Sequence, residues 1–262
     1  MAAPDNWDDH WDRYGEAAEL NPAQSMRHHL LLKLLAQAGA GLGIARILDF
    51  GSGQGDFLAL ARREFPAAEL AGFEMSPRGI ARSREKVPGA RFTVADLFSP
   101  PPECGEYRSW ASFGICSEVL EHVDDPAGFV RAACTYLAPA ATLLVTVPSG
   151  PMSAFDRHIG HRRHFDRQSI TSMLRTGGLA VERVFRAGFP FFNVYRLLVV
   201  ARGRQLIGDI VANDRRRTSQ SAKMAMALFR TLFRINLSDA PGGWQLIAVA
   251  RNTGVTSQRG DC

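Results

Sequence analysis

The sequence predicts an α/β fold, a parallel sheet wound with right-handed crossovers and carrying a helical insertion before its last strand. Three observations lead there. Short apolar, strand-like runs alternate with helical stretches from Ala45 to Arg186. The first of these runs stops at a glycine cluster, Gly51-Ser52-Gly53-Gln54-Gly55. Beyond residue 190 the alternation gives way to two helical stretches and then one further strand.

In order, apolar residues at helical spacing and a closing glycine predict a helix over residues 23–39. Ala45–Phe50 (ARILDF) is a short apolar run, hence a buried strand ending in a tight turn. Phe57–Arg63 is helical and ends near Pro66, Glu69–Glu74 is strand-like, Pro77–Lys86 helical and Arg91–Ala95 strand-like. Ser109–Cys116 is expected as a fourth strand, Pro126–Leu137 as a helix and Thr142–Val147 as a fifth strand. Gln168–Thr176 is helical, stops at Gly177-Gly178, and leads into strand-like Leu179–Arg186. Arg196–Val211 and Ser221–Phe233 are the helical stretches of the insertion, and Trp244–Ala250 is the last strand. The expected division is an N-terminal helical cap (1–44), a core (45–189 and 244–251), a helical insertion or lid (190–243) and a disordered tail (252–262).

Composition narrows the class. A chain of 262 residues, 46% hydrophobic and 22% charged, is neither disordered nor fibrous and has material for a large core. No run approaches the ~18 apolar residues of a membrane span. The acidic start (Asp5, Asp8, Asp9, Asp12) is unlike a signal peptide, and the four cysteines lack CxxC spacing, so a cytoplasmic setting is expected. Charge is uneven: residues 151–235 hold 16 Lys and Arg against 5 Asp and Glu, the remainder 15 against 21. That segment suits an anionic partner or is a solvated, arginine-rich surface.

In an open parallel sheet the ligand crevice lies beyond the carboxyl ends of the strands. Glycines at 51, 53 and 55 allow the backbone to turn and approach a ligand there, although such a turn alone also suits a dinucleotide pyrophosphate. Three acids argue for a different ligand. Asp49 sits at the mouth of the first strand, where a carboxylate can bind an amino cation. Glu74 ends the second, where a carboxylate accepts ribose hydroxyls, and Asp96 follows the third, where it can receive an adenine amino group. Together they suit an adenosine bearing a cationic amino acid and suit a diphosphate poorly.

With these residues in place, the stretch from 45 to about 187 resembles the class I S-adenosylmethionine-dependent methyltransferases. ILDFGSGQG looks like their first motif, GFE their second-strand acid, VADLF their adenine-side motif, ICSEVLEHVDDP the segment after the fourth strand and LLVTVPS the fifth strand. The resemblance implies a Rossmann-like seven-stranded, mostly parallel sheet with helices on both faces and an antiparallel last strand. It implies that Asp49, Gly51 and Gly53 contact the amino-acid end of the cofactor, Glu74 the ribose, and Asp96 and Leu97 the adenine. Met75 and Ser117 join them as cofactor-binding candidates. Residues 7–30 look like the cofactor-covering helix of such enzymes. Arg27, after Asn21-Pro22, resembles the arginine that meets the cofactor carboxylate in the ubiquinone-pathway O-methyltransferases, its alternative being a solvated helix face. Residues 190–243 depart from the family, replacing what is usually a short hairpin loop.

At the reaction end, Glu118, Glu121 and His122 would share one face if they form the first turn of a helix. With His161 they could hold a divalent ion, Mg²⁺ or Mn²⁺. The ubiquinone-pathway enzymes and the plant-type small-RNA 2′-O-methyltransferases are similar here, and in them an ion acidifies the attacking oxygen. Glu-x-x-Glu-His also occurs in related enzymes without metal, where Glu118 would lie near the cofactor and His122 would be structural. His158, His161 or His164 could instead act as general base, with Glu121 and His122 as further catalytic candidates. Arg157, Arg162, Arg163 and Arg167 could clamp a phosphate or carboxylate, or be solvated. Gly-His-x-Arg-Arg/His-Phe/Tyr elements like this one occur in methyltransferase-like proteins of glycan and natural-product pathways.

No cysteine nucleophile is apparent, nor an Asn/Asp-Pro-Pro-Tyr/Phe signature of amino methyltransferases, so oxygen methylation is favoured. The expected acceptor is a small anionic or sugar-containing molecule. Two other classes remain: an RNA methyltransferase, which the basic segment would serve, and a non-catalytic cofactor-binding protein. Phe189, Phe191, Phe192, Tyr195, Leu197 and Leu198, with Arg202, Arg204 and Arg215–Arg217, would give the insertion an apolar and charged entrance. Such a surface suits peripheral membrane contact or a homodimer; ordinary packed helix is the alternative.

Overall fold

The computed structural model describes residues 7–40, 43–212, 220–237 and 239–254. Arg215–Arg217 and residues 255–262 of the expected tail lie outside these. Helices α1 (Trp7–Leu20) and α2 (Pro22–Ala38) precede β1 (Arg46–Phe50), α3 (Asp56–Glu64), β2 (Glu69–Glu74), α4 (Pro77–Lys86) and β3 (Arg91–Val94). Then come β4 (Ala111–Ser117), α5 (Pro126–Cys134), β5 (Leu137–Pro148), α6 (Ala154–His158), α7 (Arg167–Thr176) and β6 (Leu179–Ala187). The insertion supplies α8 (Phe191–Ala212) and α9 (Gln220–Leu232), and β7 (Gln245–Asn252) completes a seven-stranded sheet ordered β3-β2-β1-β4-β5-β7-β6. Only β7 runs against its neighbours, pairing antiparallel with β5 and β6.

Side-chain alternation divides the strands between two faces. Ile47, Leu70, Ile115 and Leu144 pack with Leu31 and Leu35 of α2, Leu58 of α3 and Ile80 of α4. Leu48, Phe50, Phe73, Cys116 and Val145 turn the other way, towards Phe129 and Val130 of α5 and Ile170 and Leu174 of α7. Because both faces are covered, the strands read as continuous apolar runs. A third cluster joins Ala23 and Met26 of α2 to Phe192 and Phe233, so the insertion docks on the N-terminal helices.

Four local expectations change. The cofactor-covering stretch over 7–30 is two helices, because Pro22 stands at the first helical position of α2 and Asn21 caps it, its side chain accepting from the Ala23 amide at 2.9 Å. The helix expected to Leu137 stops at Cys134. The Tyr136 carbonyl accepts from the Trp110 and Ala111 amides (each 3.0 Å), and Leu137 already pairs with Ala111 of β4. The last strand runs to Asn252, whose side chain donates to the Leu137 carbonyl at 2.9 Å. The fourth change, at residues 118–122, concerns the site.

Candidate active site

Strand order reverses between β1 and β4, and a cavity of about 780 Å³ opens at their carboxyl ends. The β1–α3 turn, the ends of β2 and β3, and helices α1, α2 and α8 wall it. All nine residues expected at the cofactor line it: Arg27, Asp49, Gly51, Gly53, Glu74, Met75, Asp96, Leu97 and Ser117.

Asp49 is 3% exposed, and its carboxylate has no hydrogen bond or ion pair among the described residues. Burial, with Glu74 nearby, pushes it up to about 8. Glu74 is raised by burial too, although the amides of Ser76 and Gly53 donate to its two oxygens, each at 2.9 Å. Two buried acids share one corner, and at Asp49 no cation answers the charge.

The glycines are needed for close approach. Gly51 has φ +77°, and a Cβ there would stand 2.6 Å from Val119 Cγ2. Gly53 has φ +56°, and its Cβ would stand 2.6 Å from the ring of Trp11. Trp11 therefore sits on the glycine turn. Its helix α1 is fastened there by Gln54, which donates to the Gly15 carbonyl at 3.0 Å, and by Asp8, which accepts from the Ser76 hydroxyl and the Arg78 amide. Sequence reasoning placed a covering helix here but not its tryptophans, whose i, i+4 spacing at 7 and 11 was the available signal.

At the other end, residues 118–122 form a turn, not the first turn of a helix. Glu118 has φ +56° and leaves the direction of β4. Its carboxylate accepts from Thr146 Oγ1 (3.1 Å) and Gln245 Nε2 (2.9 Å) and pairs with Arg27 (3.4 Å). The one-face arrangement of Glu118, Glu121 and His122 is thus corrected: Glu118 faces α2 and β7, and Glu121 and His122 meet His161 instead. Glu121, His122 and His161 have ligand atoms within 4.8 Å of one another, whereas Glu118 lies outside this group.

Glu121 does not reach the cavity; it is wholly buried with no hydrogen-bond partner for its carboxylate. Burial first, then Glu118, pushes it well above the usual carboxylate range. His122 and His161 do line the cavity, their rings edge to face at 4.7 Å, and Trp7 meets His122 at 5.0 Å.

Hydrogen bonding fixes the tautomers of the next two rings. Burial lowers His161 to about 2 and lowers His164 as well, which favours the neutral form of both rings. His164 Nδ1 lies 3.0 Å from the Gly150 carbonyl, which can only accept, so Nδ1 carries the proton and Nε2 is bare. His161 Nδ1, 3.3 Å from that Nε2, must then donate. His161 Nε2 is left with its lone pair free, 4.0 Å from Glu121.

Asp156 organises the loop. It closes a capping box with Ser153 and takes both guanidinium nitrogens of Arg196, at 3.0 and 2.8 Å. Burial pushes its carboxyl up, but Arg196 outweighs that and holds it at about 2. His158 leaves the candidate set: it ends α6, is exposed, and does not line the cavity. Of the four loop arginines only Arg162 lines it, paired with Asp124, while Arg163 donates to the Asp124 carbonyl at 3.1 Å and Arg157 to that of Ser153 at 3.4 Å. Of the aromatic entrance only Phe192 and Tyr195 wall the cavity, with Arg196 and Val199 from the same helix; Phe189, Leu197 and Leu198 are exposed outside it. Arg196 and Asp156 were not singled out beforehand, since nothing in the chain marks two residues forty positions apart as a pair.

Comparison with known proteins adds the family. A family model described as "Methyltransferase domain" matches residues 23–184. The chain is 27% identical over 210 residues to a ubiquinone biosynthesis O-methyltransferase of Marinobacter nauticus, covering 71% of this chain and 84% of the relative. It is 30% identical over 108 residues to a trans-aconitate 2-methyltransferase of Methylobacterium nodulans, spanning 40% of this chain and 38% of that relative. Among solved structures it is similar to Haemonchus contortus phosphoethanolamine N-methyltransferase 2, at TM-score 0.60 and 17% identity over 95% of this chain and 60% of that one.

Proposed function

We infer the acceptor chemistry from the premise that this chain belongs to the methyltransferase-domain family and is an S-adenosylmethionine-dependent methyltransferase. We propose that it methylates a hydroxyl oxygen of a small, anionic or sugar-containing acceptor. The cradle fits the cofactor: Asp49 offers an unanswered buried carboxylate to an ammonium, Glu74 an acid to ribose hydroxyls, Asp96 and Leu97 a site for adenine, and Arg27 a cation to a carboxylate. S-adenosylmethionine supplies a methyl group on a sulfonium, which departs as a neutral thioether when the acceptor oxygen takes the methyl. What remains for the protein is alignment and removal of one proton.

The observation that carries the oxygen reading is the bare Nε2 of His161 at the cavity wall. Burial lowers this ring to about 2, so it takes the hydroxyl proton only as the new C–O bond forms and makes that proton strongly acidic, while Nδ1 stays bonded to His164. The relatives named for ubiquinone biosynthesis are O-methyltransferases by name, which supports the same reading.

The proposal routes no step through Mg²⁺ or Mn²⁺. Two groups meet at the acceptor end, Glu121 with His122 and His161 and Asp156 with His161 and His164; each offers two imidazoles and one carboxylate, and Glu118 belongs to neither. That donor set suits borderline transition ions and not the hard, oxygen-seeking Mg²⁺ or Mn²⁺.

The test is transfer of a labelled methyl group to a panel of catechols, polyols, sugar phosphates and an oligoribonucleotide, with product analysis by mass spectrometry. Methyl ethers of a small hydroxylated acceptor are expected. His161→Ala should lower kcat by ~10²–10⁴ and leave S-adenosylhomocysteine affinity unchanged. Methylation confined to nitrogen or to RNA, or full activity in His161→Ala, would contradict the proposal.

A further inference from the structure

We propose that the outer face of the α8–α9 insertion is a docking surface for an anionic lipid membrane. Eight of the eleven exposed large hydrophobic residues in the described chain fall between residues 189 and 237. Val194, Leu197 and Leu198 are 46, 52 and 49% exposed, and their i, i+3, i+4 spacing makes one stripe of α8. The opposite stripe of that helix, Phe192, Tyr195, Arg196 and Val199, walls the cavity. Helix α9 repeats the division: Phe229 turns inward onto Tyr195, at 5.3 Å between ring centres, while Met224 and Leu228 stand 73 and 59% exposed. Both inward stripes are accounted for by packing. The outward ones are not.

Charge selects the occupant. Residues 189–237 carry nine Lys and Arg against two Asp and no Glu; Arg196 among them faces the cavity, paired with Asp156, while Arg202, Arg230 and Arg234 are exposed. In a two-fold dimer the same patch meets itself, which would bring this excess against its own copy. Nucleic acid would satisfy the charge but would want exposed aromatic platforms for its bases. Here Phe192, Tyr195, Phe229 and Phe233 are turned inward and stacked on one another, one aromatic, Phe189, is exposed ahead of α8, and the stripes of α8 and α9 left outside are aliphatic. Aliphatic stripes in a segment of basic excess match a bilayer interface with anionic headgroups. No helix of the described residues is long and apolar enough to cross a membrane, so the insertion would lie on the surface. The docking does not depend on which atom is methylated.

The test is co-sedimentation of the full chain with vesicles of phosphatidylcholine, with and without phosphatidylglycerol, at low and high salt. The wild type should partition onto the anionic vesicles, and less at high salt. The double variants Leu197→Glu/Leu198→Glu and Met224→Glu/Leu228→Glu should each lower partitioning about tenfold or more, and Arg234→Glu should weaken it in the same direction. Unchanged binding of S-adenosylhomocysteine would show that the variants fold, independently of any acceptor. The proposal is overturned by absence of partitioning, by equal partitioning onto neutral vesicles, or by apolar variants that partition like the wild type. It is equally overturned by a dimer that the same substitutions dissociate.

Discussion

His28 lies at the cavity wall, almost wholly buried beside Phe57, and burial lowers it to about 3. The unfolded chain would protonate the same ring near 6.5. A folded value below the unfolded one means that the neutral ring's contribution to stability is complete above pH ~6.5 and is lost as the pH falls towards 3. Urea midpoints should therefore drop between about pH 6.5 and pH 4, and His28→Phe should flatten that slope. An identical slope in the variant would assign the acid sensitivity elsewhere. Residues at this scale were legible unequally. Asp49, Glu74 and Asp96 could be found because a strand end is visible in sequence and each acid lies at or just past one. His158 and His161 could not be ranked, since a five-residue helix, α6, decides which of them faces the cavity. Glu118 was misplaced because a single residue at φ +56° redirects its side chain, and nothing about a glutamate announces that conformation.

Between elements, the pair Asp156–Arg196 ties α6 to α8 across the acceptor end, with side chains 1 and 13% exposed. Removing one partner leaves a buried charge unanswered, whereas removing both does not. Arg196→Ala should destabilise by about 3 kcal/mol or more, and Asp156→Ala/Arg196→Ala should recover part of that loss in urea unfolding. Simple additivity of the two single changes would mean that the pair does not couple the helices. Methyl transfer should fall in the single variant as well, because Asp156 also shapes the loop that carries His161. Elements as such were largely legible: Glu69–Glu74 and Pro77–Lys86 were expected with the bounds they have, since their pattern is local. The break between α1 and α2 was written in Asn21-Pro22. The end of α5 was not, because it is set by pairing of the following residues with β4, an event distant in sequence.

At the scale of the molecule, one face of the sheet packs α2, α3 and α4, the other α5 and α7, and the strand order places the cavity at the seam between β1 and β4. One end of the cavity presents acids without a cation; the other presents a histidine with a free nitrogen. The account stands on the first of these. With Asp49 held at about 8, the cradle is largely protonated near neutrality, and an arriving ammonium must expel that proton. The measurement that tests this is calorimetric titration of S-adenosylhomocysteine into wild type and Asp49→Asn, between about pH 6 and pH 8 in buffers of differing ionisation enthalpy. The wild type should release close to one proton on binding near pH 6, falling to about half a proton near pH 8, and bind more tightly as the pH rises, while Asp49→Asn binds more weakly and loses both effects. Equal affinity of the two proteins, with no proton released by either, would contradict the assignment of Asp49 and with it the cofactor cradle.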